Sequence, residues 1–377
     1  MREIPRIYFY MHPSEMPASG VPDDAGPTWS GFIDYMRQPG IGLNPVITSY
    51  CWTLQTFLYL REAGLKCEIT ATIPDDGIII VQRAALPFNF KPKPKQLIVC
   101  IKADFEIHPY AQLNVVQNPE EVKTVRDSFF IRLWLQPGLI KRDPARGNKF
   151  ENIAFIGAIG SLAPELKNPS WSAMLESIGL RWLMPGEQHW HDYSNIDAIV
   201  AVRTFDPKED YRYKPATKLQ NAWLGDVPAI VGTDSAFRGE RQSELDFIEV
   251  SSIDETIAAL KRLRDDYDLY QAMVKNGRVR SEKLTTTSLV ERWKEFITQK
   301  AIPAYYQWCE LSSLQQKLWL AKQNLTVTEN NLRPNTFYPY ELEPVNNDHI
   351  GIQDSVMLST IQMYRKAKKL LTSGSSR

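Results

Sequence analysis

Short apolar runs alternate with segments of helical periodicity along this chain, and that alternation constrains the fold most. The runs at 77–82, 95–104 and 113–118 are apolar with polar ends, which is typical of strands buried on both faces of a parallel sheet. Residues 49–70 combine apolar positions at helical spacing, a glycine stop and a β-branched run. Together with the apolar run at 7–11, these patterns predict a first α/β unit.

The same alternation starts again after residue 150. Residues 151–161 have the pattern of a strand that ends in a glycine turn, and 195–204 that of a buried strand. A helix from about Pro215 to Gly225 and a strand at 228–233 follow. A last strand and three helices are predicted at 245–250, 253–265, 267–280 and 286–302. We therefore predict an α/β fold of two Rossmann-like domains that face each other across a cleft, with extra C-terminal helices.

The boundaries follow from composition. The segment around 136–150 contains prolines and glycines between the two patterns, which marks a linker. A strong helical pattern begins after Pro303, and the polar end of the chain carries one more, at 354–371. The predicted divisions are a first domain 1–135, a linker 136–150, a second domain 151–303, a helix 304–330 that crosses back to the first domain, and a tail 331–377.

Charge and cysteine content narrow the classes of partner. Lys plus Arg and Asp plus Glu are both 44, so no net charge attracts the molecule to nucleic acid. The four cysteines form no CxxC pair, which argues against a zinc knuckle and a disulfide framework. No apolar run approaches the ~20 residues of a spanning helix. We expect a cytoplasmic protein with no transmembrane segment, and peripheral contact with a membrane is left open.

The segment 214–230 is the most informative about chemistry. Lys214, Thr217 and Lys218 would cluster at the start of the predicted helix, where free N–H groups and the helix dipole attract anions. An ammonium and a hydroxyl at that position can hold a diphosphate without a metal. The alternative interpretation is a solvated, lysine-rich first turn.

The order of these residues resembles the donor-binding segment of GT-B glycosyltransferases with a family-1-like donor domain. The resemblance extends from about Glu151 to Glu249 and comprises a glycine turn, a buried strand, Lys218 and Gly225-Asp226-Val227-Pro228. It implies a nucleoside diphosphate sugar, a UDP- or GDP-sugar, bound mainly by the C-terminal domain. By resemblance, Lys218 and Thr217 contact the diphosphate, and Gly157 and Gly160 let the loop backbone approach it.

Two positions near this segment carry alternatives. Many retaining members of the fold have a pair of glutamates where this chain has Tyr213 and Asn221, so the stereochemistry is left open. Asn221 could still bind ribose or sugar hydroxyls. Arg203 follows a buried strand, where it either neutralises a phosphate or pairs with Asp206 or Glu209.

Candidate bases lie at strand ends of the first domain. His12 follows the first strand, and Asp104, Glu106 and His108 follow the strand at 95–104. A group there could accept the proton of an acceptor hydroxyl, or be a solvated charge in a surface turn. Some inverting GT-B enzymes use a histidine in the position of His12.

Two loops carry the remaining candidate binding residues. His189, His191 and Asp192 suggest a metal, but no further ligand has a fixed spacing, so we expect no metal and a loop that closes against the base of a nucleotide. The loop at 14–44 is either an ordinary long loop or a sugar-binding surface built from Asp23, Asp24, Trp29, Tyr35 and Arg37.

The predicted function is a glycosyltransferase that moves a sugar from a nucleotide donor to an acceptor hydroxyl, without a metal and with no cofactor besides the donor. The partners are a nucleotide sugar and a small-molecule or glycan acceptor. A nucleotide-sugar epimerase of the same fold, or a binding protein without catalysis, are the alternatives.

Overall fold

The computed structural model, which describes residues 3–17, 20–21 and 49–329, contains two parallel β-sheets. The first has the strand order β2-β1-β3-β4-β5-β6, and every neighbouring pair is parallel. Its strands are β1 (Ile7–Tyr10), β2 (Glu68–Thr70), β3 (Gly77–Gln82), β4 (Gln96–Ile101), β5 (Leu113–Val116) and β6 (Ser128–Phe130). The predicted strands are confirmed, and β6 is an addition that the sequence pattern did not indicate.

The second sheet has the order β8-β7-β9-β10-β11 and is also parallel. Its strands are β7 (Asn152–Ala154), β8 (Arg181–Leu183), β9 (Ala198–Ala201), β10 (Ala229–Val231) and β11 (Ile248–Glu249). Counted within its own sheet, each begins with the strand order 2-1-3-4-5 of doubly wound folds. The predicted α/β class with two Rossmann-like units is therefore confirmed.

Helices connect and flank these strands. They are α1 (Gln55–Glu62), α2 (Pro169–Ser177), α3 (Thr217–Leu224), α4 (Ser235–Glu240), α5 (Ile253–Asp265), α6 (Tyr267–Ser281), α7 (Thr286–Phe296), α8 (Ile302–Glu310) and α9 (Ser313–Glu329). The sequence pattern did not indicate α4. Within the described ranges, no helix combines the length and the apolar character needed to cross a bilayer.

Helix α3 begins at Thr217, two residues later than predicted. Its first intrahelical bond runs from the Gln220 N–H to the Ala216 carbonyl. The Lys214 carbonyl accepts instead from the side-chain amide of Asn118, at 3.2 Å. Pro215 thus precedes the first turn, and the Lys214 carbonyl is paired outside the helix.

The chain returns to the first unit earlier than predicted. Trp293 and Phe296 of α7 are fully buried in the core that contains Phe9 of β1. The Phe296 ring lies 5.2 Å from the ring of Phe129 in β6. The apolar face of α7 thus packs on the first sheet, so the crossing begins near Thr286 and the predicted boundary at 303 is wrong.

Two predictions concern parts of the chain outside the described residues. These are the helical pattern at 354–371 and the possible sugar-binding residues Asp23, Asp24, Trp29, Tyr35 and Arg37.

Candidate functional site

A cavity of about 320 Å³ lies between the two units, within the range of small-ligand pockets. The first unit and the linker contribute Cys51, Gln55, Asp104, Leu133, Trp134, Leu135, Gln136 and Pro137. The second unit contributes Ile156, Gly157, Ala158, Ser161, Glu187, Trp190, Arg203, Lys214, Pro215, Thr217, Lys218 and Asn221. A cleft between two Rossmann-like units is the arrangement that the GT-B resemblance predicts.

The cavity lies at the point of the second sheet where the strand order reverses. Strands β7 and β9 are neighbours there, and the chain continues from β7 to β8 on one flank and from β9 to β10 on the other. Because crossover connections are right-handed, these two connections run on opposite faces of the sheet. Gly157 follows β7 and Arg203 follows β9, and both line the cavity. Open parallel sheets bind ligands in this crevice, at the carboxyl ends of the strands.

Lys218 lies against the loop after β7. Its Nζ is 5.4 Å from the centre of the Phe155 ring. A Cβ added at Gly157 would lie 2.9 Å from Lys218 Cε and 3.2 Å from Nζ. Gly157 also has a φ of +144°, which side-chain-bearing residues rarely adopt. Glycine at 157 thus permits this backbone conformation and leaves room for the end of the Lys218 side chain.

The ammonium of Lys218 has no hydrogen-bond or ion-pair partner among the residues that the structure describes. Burial lowers the pKa of Lys218 well below its ordinary value of 10.5, and the nearby charge of Arg203 lowers it further. Asp234 and Asp104 act in the opposite direction. A bound anion would supply the missing counter-charge.

Arg203 pairs with Asp234, and neither Asp206 nor Glu209 is its partner. The Arg203 Nε donates to Asp234 Oδ2 at 2.6 Å, and both side chains are buried. Burial raises the pKa of Asp234, while the Arg203 charge opposes that rise. Because this bond uses Nε and Arg203 lines the cavity, the guanidinium is fixed beside Lys218.

Lys214 joins the two units across the rim of the cavity. Its Nζ lies 2.5 Å from Oδ2 of Asp104, which follows β4 of the first unit. The Lys214 Nζ also lies 5.2 Å from the centre of the Tyr213 ring. Lys214 is therefore neutralised by Asp104, whereas Lys218 is not.

Five buried polar atoms of the cavity lining have no hydrogen-bond partner among the described residues. They are Gln55 Nε2, Thr217 Oγ1, Asn221 Oδ1, Gln136 Nε2 and Trp190 Nε1. Most buried polar groups in proteins are paired, so a cluster of orphans indicates a place for a polar ligand. The sequence singled out Thr217 and Asn221. It missed Gln55, Gln136 and Trp190. Gln136 precedes a proline and Trp190 lies between the two histidines, whereas no such signal marks Gln55.

The loop that carries His189 and His191 reaches the cavity through other side chains. Glu187 and Trp190 line it, whereas His189 and His191 do not. Burial lowers the pKa of His191, and Asp192 accepts from the Ser194 N–H. No group of three or more His, Cys, Asp or Glu side chains in the described ranges could hold a metal ion.

Gly160, which we predicted to face the diphosphate, does not line the cavity. It is exposed in the turn Ile159–Ser161, and an added Cβ would meet no atom within 4 Å. Ser161, one residue later, lines the cavity instead. The loop bends after Gly157, so only the first of the two glycines faces the site.

His108 is not a base, contrary to the prediction. Its Nε2 donates to the Pro87 carbonyl at 2.9 Å, and its Nδ1 accepts from the Tyr110 N–H at 3.2 Å. The ring is fully buried, and burial lowers the pKa of His108 to about 3. His108 is thus a neutral residue of the first unit's interior.

The other three candidate bases differ in whether they line the cavity. Asp104 lines the cavity, and Glu106 is exposed in the following loop. His12 is partly buried after β1, where its Nδ1 accepts from the Ser14 N–H at 3.2 Å. Burial lowers the pKa of His12. His12 does not line the cavity.

Comparisons with known proteins give structural neighbours only. No protein-family model and no curated protein matches the sequence. Similar solved structures include TarM, with 12% identity and a TM-score of 0.43, where the match covers 64% of this chain and 58% of TarM. Anabaena HepE in complex with UDP and glucose has 10% identity and a TM-score of 0.42, covering 59% of this chain and 78% of HepE.

Sucrose-phosphate synthase from Thermosynechococcus elongatus has 12% identity and a TM-score of 0.43, covering 69% of this chain and 81% of the synthase. At 10–12% identity, these likenesses concern the general fold alone. The chain spans less than two thirds of the length of TarM.

Proposed function

We propose that this protein is a glycosyltransferase that binds a nucleoside diphosphate sugar in the cavity and transfers the sugar to an acceptor hydroxyl. The observation that carries the proposal is the ammonium of Lys218, which has no hydrogen-bond or ion-pair partner among the described residues. It lines the same cavity as Arg203 and the Thr217 hydroxyl, which also lacks a partner in the described part of the chain. An anion with several oxygen acceptors would satisfy all three groups.

The diphosphate is the leaving group of the reaction. As the glycosidic bond of the donor breaks, negative charge builds on the β-phosphate, and fixed cations stabilise that charge. Lys218 and Arg203 supply two such cations, and the start of α3 adds free N–H groups. These groups do the work that a divalent metal does in other transferases, so we propose a metal-independent reaction.

The rest of the donor meets the remaining orphan atoms. The Asn221 oxygen can accept from a ribose or sugar hydroxyl, and the Trp190 indole N–H can donate to an oxygen of the ligand. UDP- and GDP-sugars are the donors that the sequence resemblance implies. The loop with Trp190 would then cover the base.

The acceptor hydroxyl must lose a proton. Asp104 lines the cavity from the first unit, so its carboxylate is the group best placed to accept it once Lys214 turns to the diphosphate. His12, which follows β1 and whose pKa is lowered by burial, is the second candidate.

Titration calorimetry with UDP and GDP, each with and without EDTA, tests the donor site. A ligand at 100 times its dissociation constant should stabilise the fold by about 2.7 kcal/mol, which a melting curve also detects. Absence of binding by either nucleotide at millimolar concentration would contradict the proposal. Binding that EDTA abolishes would contradict metal independence alone.

Product analysis distinguishes the reaction from its alternatives. Incubation with a panel of nucleotide sugars and sugar acceptors should yield a new glycoside and free nucleoside diphosphate. An epimerised nucleotide sugar in place of a glycoside would identify an epimerase. Tight binding with an unchanged donor after long incubation would identify a binding protein.

A further inference from the structure

Two residues of the first unit hold the backbone from which the second unit's cations extend. Gln117 and Asn118 follow β5 directly, and both side chains are buried. Neither lines the cavity. Their amide groups instead contact the segments that immediately precede α3 and begin α4.

Gln117 binds the segment before α3 in two ways. Its Nε2 donates to the Tyr213 carbonyl at 2.8 Å and to Asp104 Oδ1 at 2.5 Å. The other oxygen of Asp104 accepts from the ammonium of Lys214. One amide therefore fixes both the backbone beside Lys214 and the carboxylate that holds its side chain.

Asn118 joins the two cation-bearing segments. Its Nδ2 donates to the Lys214 carbonyl at 3.2 Å and to Ser235 Oγ at 2.9 Å. Ser235 follows Asp234, the partner of Arg203. The Lys214 carbonyl lies three residues before Thr217, where α3 begins. Asn118 thus hydrogen-bonds to the segment that leads to Lys214 and Lys218, and to the residue next to the ion-pair partner of Arg203.

We propose that Gln117 and Asn118 are positioning residues for the diphosphate, so that the donor site of the second unit is completed by the first. This inference rests on the proposed function, because it names the residues that set the geometry of that same site. Without these donors, the Tyr213 and Lys214 carbonyls would lose partly buried hydrogen bonds, and the segment would move to find other partners. A displacement of 1 Å at such a site is enough to weaken binding.

The test uses two nearly isosteric substitutions, Asn118→Asp and Gln117→Glu. Asn118→Asp keeps the oxygen that accepts from the Glu120 N–H at 3.0 Å and removes the donor to Lys214. Gln117→Glu removes both of that residue's donors and sets a carboxylate against Asp104. We expect each to weaken UDP binding about tenfold, the effect of one lost buried hydrogen bond.

Arg132→Gln is the matched control. Arg132 also joins the units, through its Nε to Glu240 Oε1 at 2.9 Å, but neither residue lines the cavity. Glu240 keeps its bonds from Gln220 and Arg280. This variant should melt at a lower temperature and bind UDP as the unchanged protein does. The donor KM should rise in the two test variants, with the acceptor KM unchanged.

The outcomes separate this inference from the proposed function. If the unchanged protein binds no UDP, the proposed function fails. If it binds UDP, and Asn118→Asp and Gln117→Glu bind it equally well at a temperature far below their melting points, the positioning role is wrong. Should Asn118→Asp fail to fold, Asn118→Ser replaces it and is judged by the same dissociation constant.

Discussion

Lys218 in the second unit and His108 in the first are both ionisable, and burial lowers the pKa of both. The two ring nitrogens of His108 are hydrogen-bonded to the backbone around them. Lys218 has no such partner among the described residues, and it faces a cavity. A lowered pKa alone therefore does not identify a functional group in this protein. A better indication is a polar group that lacks a hydrogen-bond partner and faces a cavity.

Replacing Lys218 should have the largest effect. We expect Lys218→Met to lower turnover roughly a hundredfold, the usual loss of about 3 kcal/mol when a group that stabilises a leaving charge is removed. The melting temperature should rise, because a lysine whose charged form is disfavoured by its surroundings is replaced by an apolar side chain. Steady-state kinetics and calorimetry measure both, with the exposed Lys275→Met on α6 as control. Normal turnover in Lys218→Met would show that Lys218, like His108, has no role in the reaction.

The glycine beside Lys218 should have the next largest effect. Gly157→Ala places a methyl group 2.9 Å from Lys218 Cε and in a backbone conformation unfavourable for alanine. We expect UDP affinity to fall about tenfold, because the lysine must move. Gly160→Ala is the matched control, since open space surrounds it. Equal affinities for the two variants would show that the contact between Gly157 and Lys218 does not position the ammonium.

The dependence of stability and UDP affinity on pH should show a smaller effect that comes from Lys218. Its pKa is lowered in the folded protein, so between that value and 10.5 the unfolded chain binds more protons and stability rises with pH. Bound UDP favours the charged form, so UDP affinity should decrease as the pH rises through the folded pKa. Comparison with Lys218→Met isolates this contribution. A pH dependence of stability identical in the two proteins would contradict the lowered pKa.

The sequence predicted the parts of this site that depend on local pattern. Buried strands and a proline before a helix are visible in neighbouring residues, so both units and the cluster of Lys214, Thr217 and Lys218 could be inferred. Gln117 and Asn118 were not recognised, because their role depends on carbonyls 96 residues away. The burial of His108 was missed for the same reason, since its partner Pro87 lies 21 residues before it.

We expect the smallest effect on turnover at His108. A nearly unchanged turnover there would support the contrast with Lys218. His108→Gln keeps a side-chain N–H that can reach the Pro87 carbonyl, so the fold should persist with some loss of stability from the smaller side chain. Turnover per folded molecule should stay within about twofold of normal, because the ring is buried and touches no part of the cavity. A base with a pKa of about 3 is also too weak to accept a hydroxyl proton efficiently near pH 7. The rate profile between pH 5 and pH 8 should therefore keep its shape, whereas Asp104→Asn should lower turnover. If His108→Gln abolishes turnover in a folded protein and Asp104→Asn does not, His108 and not Asp104 accepts the proton. The assignment of His108 as a neutral residue of the interior would then be wrong.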